Sequence, residues 1–142
     1  MSFERKYVIV FDTSTLVSAA IRPQSAPAQA LLCAIQLGEL VVSGDTLGEL
    51  KDVLLRERFD RYQARLQREA FVQDYADGVR VVHEVAPVQA CRDTKDDKFL
   101  ALAVAASAKF IVPSDDDLLV LESFQGTRIL SPRQFLDLHL RR

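Results

Sequence analysis

The chain has 142 residues, which is enough for one domain with a buried core and too few for two ordinary domains. Hydrophobic residues make up 49% and charged residues 27%, as in a globular protein, and no apolar run approaches the roughly 20 residues that cross a bilayer. A membrane protein is therefore excluded at this stage. Because the N-terminus also lacks the apolar core of a secretory signal, we expect a cytoplasmic location.

The net charge of −2 argues against a generic nucleic-acid-binding protein. A polyanionic substrate is still compatible with this charge if bound cations neutralise a local cluster of acids. Cys33 and Cys91 are too few for a disulfide scaffold or a zinc cluster. His83 and His139 are isolated, and because histidine catalysis needs a positioned partner, we expect neither to do chemistry.

Strand-like and helical segments alternate along the chain. The predicted strands, rich in Val and Ile, are Tyr7–Phe11, Leu40–Ser43, Arg80–Val85, Phe110–Val112 and Thr127–Leu130. Beyond a first helix near Thr15, the predicted helices are Ala26–Leu37, Thr46–Phe59, Tyr62–Ala76, Asp96–Ala108 and Pro132–Leu140. The alternation predicts an α/β fold in which a parallel sheet of about five strands lies between helices, with sites beyond the carboxyl ends of the strands.

Two acids follow predicted buried strands. Asp12 ends the first strand and Asp115 follows the fourth, so the two meet if those strands are neighbours. Asp12 is also a candidate N-cap, but Thr13, Ser14 and Thr15 offer the same function, so the helix does not need an acid there. Because a desolvated, unpaired carboxylate costs several kcal/mol, converging acids indicate a divalent cation.

Two further acids lie on predicted helices. Glu49 flanks the apolar stripe of its helix, a position also common for solvated glutamates. Asp97 shares a helix face with Leu100 and Ala101, which predicts that it turns toward the sheet, whereas Asp93 and Asp96 fit a capping role. We therefore prefer Asp97 as the third site acid, with Asp96 as its competitor.

The four acids and their surroundings resemble the PIN-domain family of metal-dependent ribonucleases, in particular the toxins of bacterial toxin–antitoxin pairs. The matching segments occur in the family's order: Val10-Phe11-Asp12-Thr13-Ser14, Leu47-Gly48-Glu49-Leu50, the run from Asp93 to Ala103, and Ser114-Asp115-Asp116-Asp117-Leu118. Ser14 stands where many relatives have Asn, and Pro113 stands where Thr is common. Pro113 removes a backbone donor and a hydroxyl close to Asp115.

The resemblance implies one PIN-like domain over residues 1–142 that hydrolyses RNA with Mg²⁺ or Mn²⁺ and leaves a 3′-hydroxyl and a 5′-phosphate. It implies that Asp12, Glu49, Asp97 and Asp115 are the catalytic and metal-binding residues, supported by Ser14, Ser114, Asp117 and Asp96. The partners it implies are an RNA substrate, a cognate antitoxin and a second copy of the chain. Exposed apolar positions on Ala26–Leu37 and Thr46–Phe59 are candidates for those protein contacts.

Two other functions fit parts of the pattern. A haloacid-dehalogenase-type phosphatase also begins with a strand-end Asp followed by Thr, but it needs a second Asp at position 14, which is Ser. A non-catalytic PIN-fold module that binds RNA or protein is the alternative from another class, and the presence of all four acids argues against it.

Arginines recur at helical spacing near the middle of the chain. They are Arg58, Arg61, Arg65 and Arg68, at i, i+3, i+7 and i+10. Such a stripe suits contact with an RNA backbone. Glu57, Asp60 and Glu69 interleave with these arginines, so an ordinary salt-bridged surface is the competing interpretation.

Overall fold

The computed structural model describes residues 7–140, and their strands form one mostly parallel sheet. Within that range the six strands are β1 (Tyr7–Phe11), β2 (Gly38–Val42), β3 (Arg80–Val81), β4 (Phe110–Val112), β5 (Ser123–Phe124) and β6 (Thr127–Ile129). Their order across the sheet is β3-β2-β1-β4-β6-β5. All neighbours are parallel except β5 and β6. The predicted α/β fold is confirmed.

Helices cover both faces of this sheet. In the described range they are α1 (Thr13–Ile21), α2 (Ala26–Leu37), α3 (Gly44–Leu54), α4 (Arg65–Gly78), α5 (Asp97–Ala106), α6 (Asp116–Leu119) and α7 (Pro132–Leu140). None of these helices is long and apolar enough to cross a membrane.

The core has two halves because side chains alternate along each strand. Ile9 and Phe11 of β1 point into a cluster with apolar residues of α1, α2, α3, α4 and α7. Val10, between them, points to the other face and packs with residues of α5 such as Leu100 and Leu102. The central strands are therefore buried on both sides, as a parallel sheet requires.

The third strand was predicted over Arg80–Val85, and most of this prediction is wrong. Only Arg80 and Val81 pair with β2, and the last bond joins the Val82 amide to the Val42 carbonyl at 2.7 Å. Strand β2 ends there because Ser43 caps helix α3 through a reciprocal capping box with Thr46. With no strand left to pair with, residues 82–92 run across the molecule toward α5 without regular structure.

Other differences lie at connections. The predicted helix Thr46–Phe59 is interrupted, because α3 ends at Leu54 and a separate 3₁₀ turn covers Glu57–Phe59. Strand β5 was not predicted; it forms a hairpin with β6 through Gln125 and Gly126, which both have positive φ, as a tight two-residue hairpin turn requires.

Candidate active site

A cavity of about 610 Å³ opens beyond the carboxyl ends of β1 and β4. These strands are parallel neighbours with Phe11 opposite Val112, so Asp12 and the segment from Ser114 to Asp115 come together. Asp12 and Asp115 both line the cavity, as do Glu49, Asp93 and Asp96. The sheet topology therefore brings three of the four predicted catalytic acids, Asp12, Glu49 and Asp115, to one place.

Asp12 is buried, with 2% of its surface exposed. Its Oδ1 accepts a hydrogen bond from the Thr15 amide at 2.9 Å, and its Oδ2 accepts one from the Ser114 amide at 3.2 Å. The residue therefore caps helix α1 and joins the ends of β1 and β4. Burial raises the pKa of Asp12, although these amide hydrogen bonds oppose the rise. Capping is therefore compatible with the predicted site role of Asp12.

The two predicted serines support this corner of the site. The Ser14 hydroxyl lies 3.4 Å from each carboxylate oxygen of Asp12. The Ser114 hydroxyl lies 2.7 Å from the Thr15 hydroxyl, while its amide holds Asp12. Pro113 is buried beside them and donates no hydrogen bond.

Glu49 lies on α3 and faces the cavity instead of bulk water. Its Oε1 accepts a hydrogen bond from the Thr13 hydroxyl, and its Oε2 lies 2.9 Å from the Lys98 ammonium. Lys98 also donates to the Lys95 carbonyl. Both oxygens of Glu49 thus have a partner, and the acid joins α1, α3 and α5 around the cavity.

Asp96 and Asp97 are equally buried, at 8% exposure, but point in different directions. Asp96 ends a 3₁₀ turn, Thr94–Asp96, and lines the cavity, where its Oδ2 is buried without a hydrogen-bond partner. Burial and, to a smaller extent, the negative charges of Asp115 and Asp12 together raise the pKa of Asp96 to about 7. Asp96 is therefore an uncompensated acid of the cavity.

Asp97, the preferred third acid of the prediction, does not lie with the other acids. Its Oδ1 accepts hydrogen bonds from the amides of Cys91 and Ala90 at 2.7 and 3.0 Å, and these bonds lower the pKa of Asp97. Asp97 lines a separate cavity of about 240 Å³ and not the cavity of the other acids. Its side chain fixes the irregular segment 82–92 to the start of α5.

Asp93 and Asp117 add further carboxylates beside Asp96. One oxygen from each of these three residues lies within 4.8 Å of the others. Asp115 caps the short helix α6 by accepting the Asp117 amide at 2.7 Å, and Asp117 also pairs with the exposed Arg92. The sequence suggested only capping for Asp93, whereas the fold places it in the acidic wall of the cavity.

The predicted arginine stripe does not form a continuous surface. Arg68 is fully buried, and its guanidinium donates to the carbonyls of Leu54, Arg56 and Gln63 and pairs with Asp60. Arg65 pairs with Glu69 on the exposed side of α4. Of the four arginines, only Arg58 lines the cavity of the acids.

The sequence profile of the PIN domain matches residues 8–117, which is more than three quarters of the chain and contains every acid described above. The chain belongs to the PIN-domain family. Among curated proteins, none matches the sequence significantly.

Two solved structures share the PIN fold with this chain. One is VapBC2 from Rickettsia felis bound to a DNA fragment from its promoter, with 11% identity, a TM-score of 0.58, and coverage of 87% of this chain and 98% of that chain. The other is VapC20 from Mycobacterium tuberculosis, a sarcin–ricin loop cleaving toxin, with 18% identity, a TM-score of 0.54, and coverage of 84% and 98%. At these identities the likeness shows the fold.

The donor set of this PIN domain fits a hard divalent cation. Carboxylates line the cavity from four segments of the chain, and Mg²⁺ and Mn²⁺ prefer oxygen ligands. The buried Asp96 Oδ2 has no hydrogen-bond donor, which is the state expected of a ligand atom. Neither histidine lines the cavity, because His83 is exposed and His139 packs against Phe110 and Phe135.

Proposed function

We propose that this PIN domain is a divalent-metal-dependent endoribonuclease. The observation that carries the proposal is the uncompensated Asp96 carboxylate, buried in the same cavity as Asp12 and Asp115 at the carboxyl ends of the parallel strands. Acids that repel one another in a buried place lower the stability of the fold. A bound cation would remove this repulsion and so accounts for their position.

Asp12, Asp96 and Asp115 are the residues that would hold Mg²⁺ or Mn²⁺, with Asp93 and Asp117 beside them. When bound, such an ion activates water near neutral pH and neutralises charge that develops on the scissile phosphate. The amides of Thr15 and Ser114 hold the Asp12 carboxylate in one orientation in the folded protein. This preorganisation lowers the reorganisation that the chemical step requires.

Glu49 was predicted to complete the metal site directly or through water, and its pairing with Lys98 favours the indirect role. The Lys98 ammonium neutralises the charge of Glu49, whereas the amides that donate to Asp12 are neutral. Glu49 therefore orients its neighbours in this proposal and reaches a metal only through another group. Asp97 holds the segment 82–92 and so supports the site without contributing a ligand. The third acid of the site is thus Asp96 in this proposal.

The RNA substrate and the toxin role belong to the same proposal. The fold is shared with VapC20, a sarcin–ricin loop cleaving toxin, and with the VapBC2 assembly. By this reasoning the products carry a 3′-hydroxyl and a 5′-phosphate, and a cognate antitoxin inhibits the enzyme. Leu32 and Ile35 are exposed on α2 beside α7, and this apolar surface is available to an antitoxin or a second copy of the chain.

The test is cleavage of end-labelled single-stranded RNA by the purified protein with Mg²⁺ or Mn²⁺. EDTA and the Asp12→Asn variant serve as controls; Asn is also a good N-cap, so this variant should fold. Cleavage that is lost in both controls supports a metal-dependent nuclease. A folded protein that binds RNA and metal but cleaves none of several RNAs is instead a non-catalytic binding module.

A further inference from the structure

Part of the cavity wall is cationic. Arg22, at the end of α1, and Arg56 and Arg58, in the connection between α3 and α4, all line the cavity. With Lys95 on the acidic side, four cationic side chains stand against five carboxylates in the lining. One divalent cation therefore changes the net charge of the lining from −1 to +1.

The fold holds this cationic wall in a fixed place. The buried Arg68 guanidinium binds the carbonyls of Leu54, Arg56 and Gln63, which begin and end the connection between α3 and α4. The Gln63 side-chain amide donates to the Ala20 carbonyl at 2.9 Å, which joins the same connection to the end of α1. Arg22 and Arg58 therefore stand on adjacent segments that are tied to each other.

The cations of this wall differ in their partners. Arg56 forms an ion pair with Asp52 at 2.8 Å. The Arg58 guanidinium lies over the Phe59 ring at 4.7 Å, and among residues 7–140 neither Arg58 nor Arg22 has an acidic partner. Two exposed arginines thus remain unpaired although a group of acids lines the same cavity.

We propose that Arg22 and Arg58 bind backbone phosphates of a single-stranded RNA in the cavity that holds the metal-binding acids. This inference rests on the proposed function, because it names the residues that hold the substrate of that site. Guanidinium groups suit phosphate, and contacts to the backbone position a strand without reading its sequence.

Binding without cleavage separates this inference from the nuclease proposal. We would measure fluorescence anisotropy of a labelled single-stranded RNA with the Asp12→Asn protein in Mg²⁺, then add Arg22→Ala, Arg58→Ala or both. Arg61→Ala is the matched control, because Arg61 is exposed in the same connection and carries the same charge but does not line the cavity.

Each cavity variant is expected to weaken RNA binding about tenfold, since a hydrogen-bonded charge pair is lost. Each should also reduce the slope of log affinity against log salt by about 0.7, the value for one phosphate contact on a single strand. Arg61→Ala should stay within about twofold of the parent in affinity.

The inference is overturned if Arg61→Ala loses as much RNA affinity as the cavity variants, or if the cavity variants lose none. Cleavage by the wild type would still support the nuclease proposal in that case. Selective losses in a protein whose wild type never cleaves RNA would support the inference and overturn the nuclease proposal. A parent that does not bind single-stranded RNA at all overturns the inference, and the cleavage test then decides the nuclease proposal separately.

Discussion

The acidic cavity and the connection around Arg68 both bury charge, but they differ in whether the buried charge has hydrogen-bond partners. Arg68 is fully buried, and its guanidinium donates to three carbonyls and a carboxylate. Asp96 is almost as buried, yet one of its oxygens has no donor and its neighbours are acids. A buried charge whose hydrogen-bond partners are all within the protein needs no ligand. A buried charge that lacks such partners points to a bound ion or ligand.

The largest expected effect concerns activity at the uncompensated acid. Asp96→Asn should lower RNA cleavage by about 1,000-fold, or about 4 kcal/mol of transition-state stabilisation, because a metal-binding oxygen is lost. Asp97→Asn is the matched control next in sequence and should stay within about threefold. Single-turnover cleavage assays measure both, and a larger loss in Asp97→Asn would contradict the assignment.

The compensated charge should instead affect stability. Arg68→Met removes the buried guanidinium and leaves three carbonyls without their donor, which should lower the free energy of unfolding by about 3 kcal/mol. Urea denaturation followed by circular dichroism measures the change. A loss below about 1 kcal/mol would mean that the connection does not depend on Arg68.

Substitution of Asp97 should lower the free energy of unfolding by less than substitution of Arg68. Asp97→Asn weakens the hydrogen bonds from the Ala90 and Cys91 amides, so we expect a loss of about 1–2 kcal/mol in the free energy of unfolding. Hydrogen exchange should then quicken at the Ala90 and Cys91 amides. Unchanged exchange at these two amides would show that Asp97 does not hold the segment in solution.

A further expected effect is a pH dependence of the metal-free protein. The folded-state pKa values of Asp96 and Asp12 are raised, so the native protein binds protons that the unfolded chain releases. Between about pH 4 and pH 7, the free energy of unfolding in EDTA should therefore fall as pH rises. The lowered pKa of Asp97 acts in the opposite sense, with stability lost only in the more acidic range.

Asp96→Asn removes one of the groups responsible for that slope. In chemical denaturation at about pH 5 and about pH 7.5, the variant should show a smaller decrease in stability than the wild type. A slope of equal size in both proteins would mean that Asp96 does not carry an unfavourable charge in the folded state.

The fold and the position of the site were predictable because they depend on short patterns. The strand Tyr7–Phe11 and the strand Phe110–Val112 match the structure residue for residue, and Asp12 and Asp115 converge because those strands are parallel neighbours. The PIN family and the α/β sheet followed from the same segments. The ends of neighbouring parallel strands lie at the same edge of a sheet. Residues that directly follow two such strands can therefore be placed together from the strand pattern alone.

The choice between Asp96 and Asp97 could not be made from periodicity. Asp97, Leu100 and Ala101 are buried on α5, as the periodicity predicts, but Asp97 and Ala101 line the separate smaller cavity. Asp96 instead ends the 3₁₀ turn before α5, where an α-helical period does not apply, and lines the cavity of the acids. The partners of Asp97 are the Ala90 and Cys91 amides, whose path across the molecule has no sequence pattern. The charge of Arg68 likewise predicted an exposed position. The residue is buried because backbone carbonyls, which leave no pattern in the sequence, accept most of its hydrogen bonds.

The most direct test of the account is Mn²⁺ binding to the wild type, Asp96→Asn and Asp97→Asn, measured by isothermal titration calorimetry without RNA. We predict that the wild type and Asp97→Asn bind with similar affinity and that Asp96→Asn binds at least about tenfold more weakly, since an uncompensated oxygen is what the ion requires. Equal binding by all three proteins, or a selective loss in Asp97→Asn, would contradict the claim that Asp96 and its neighbours form the metal site.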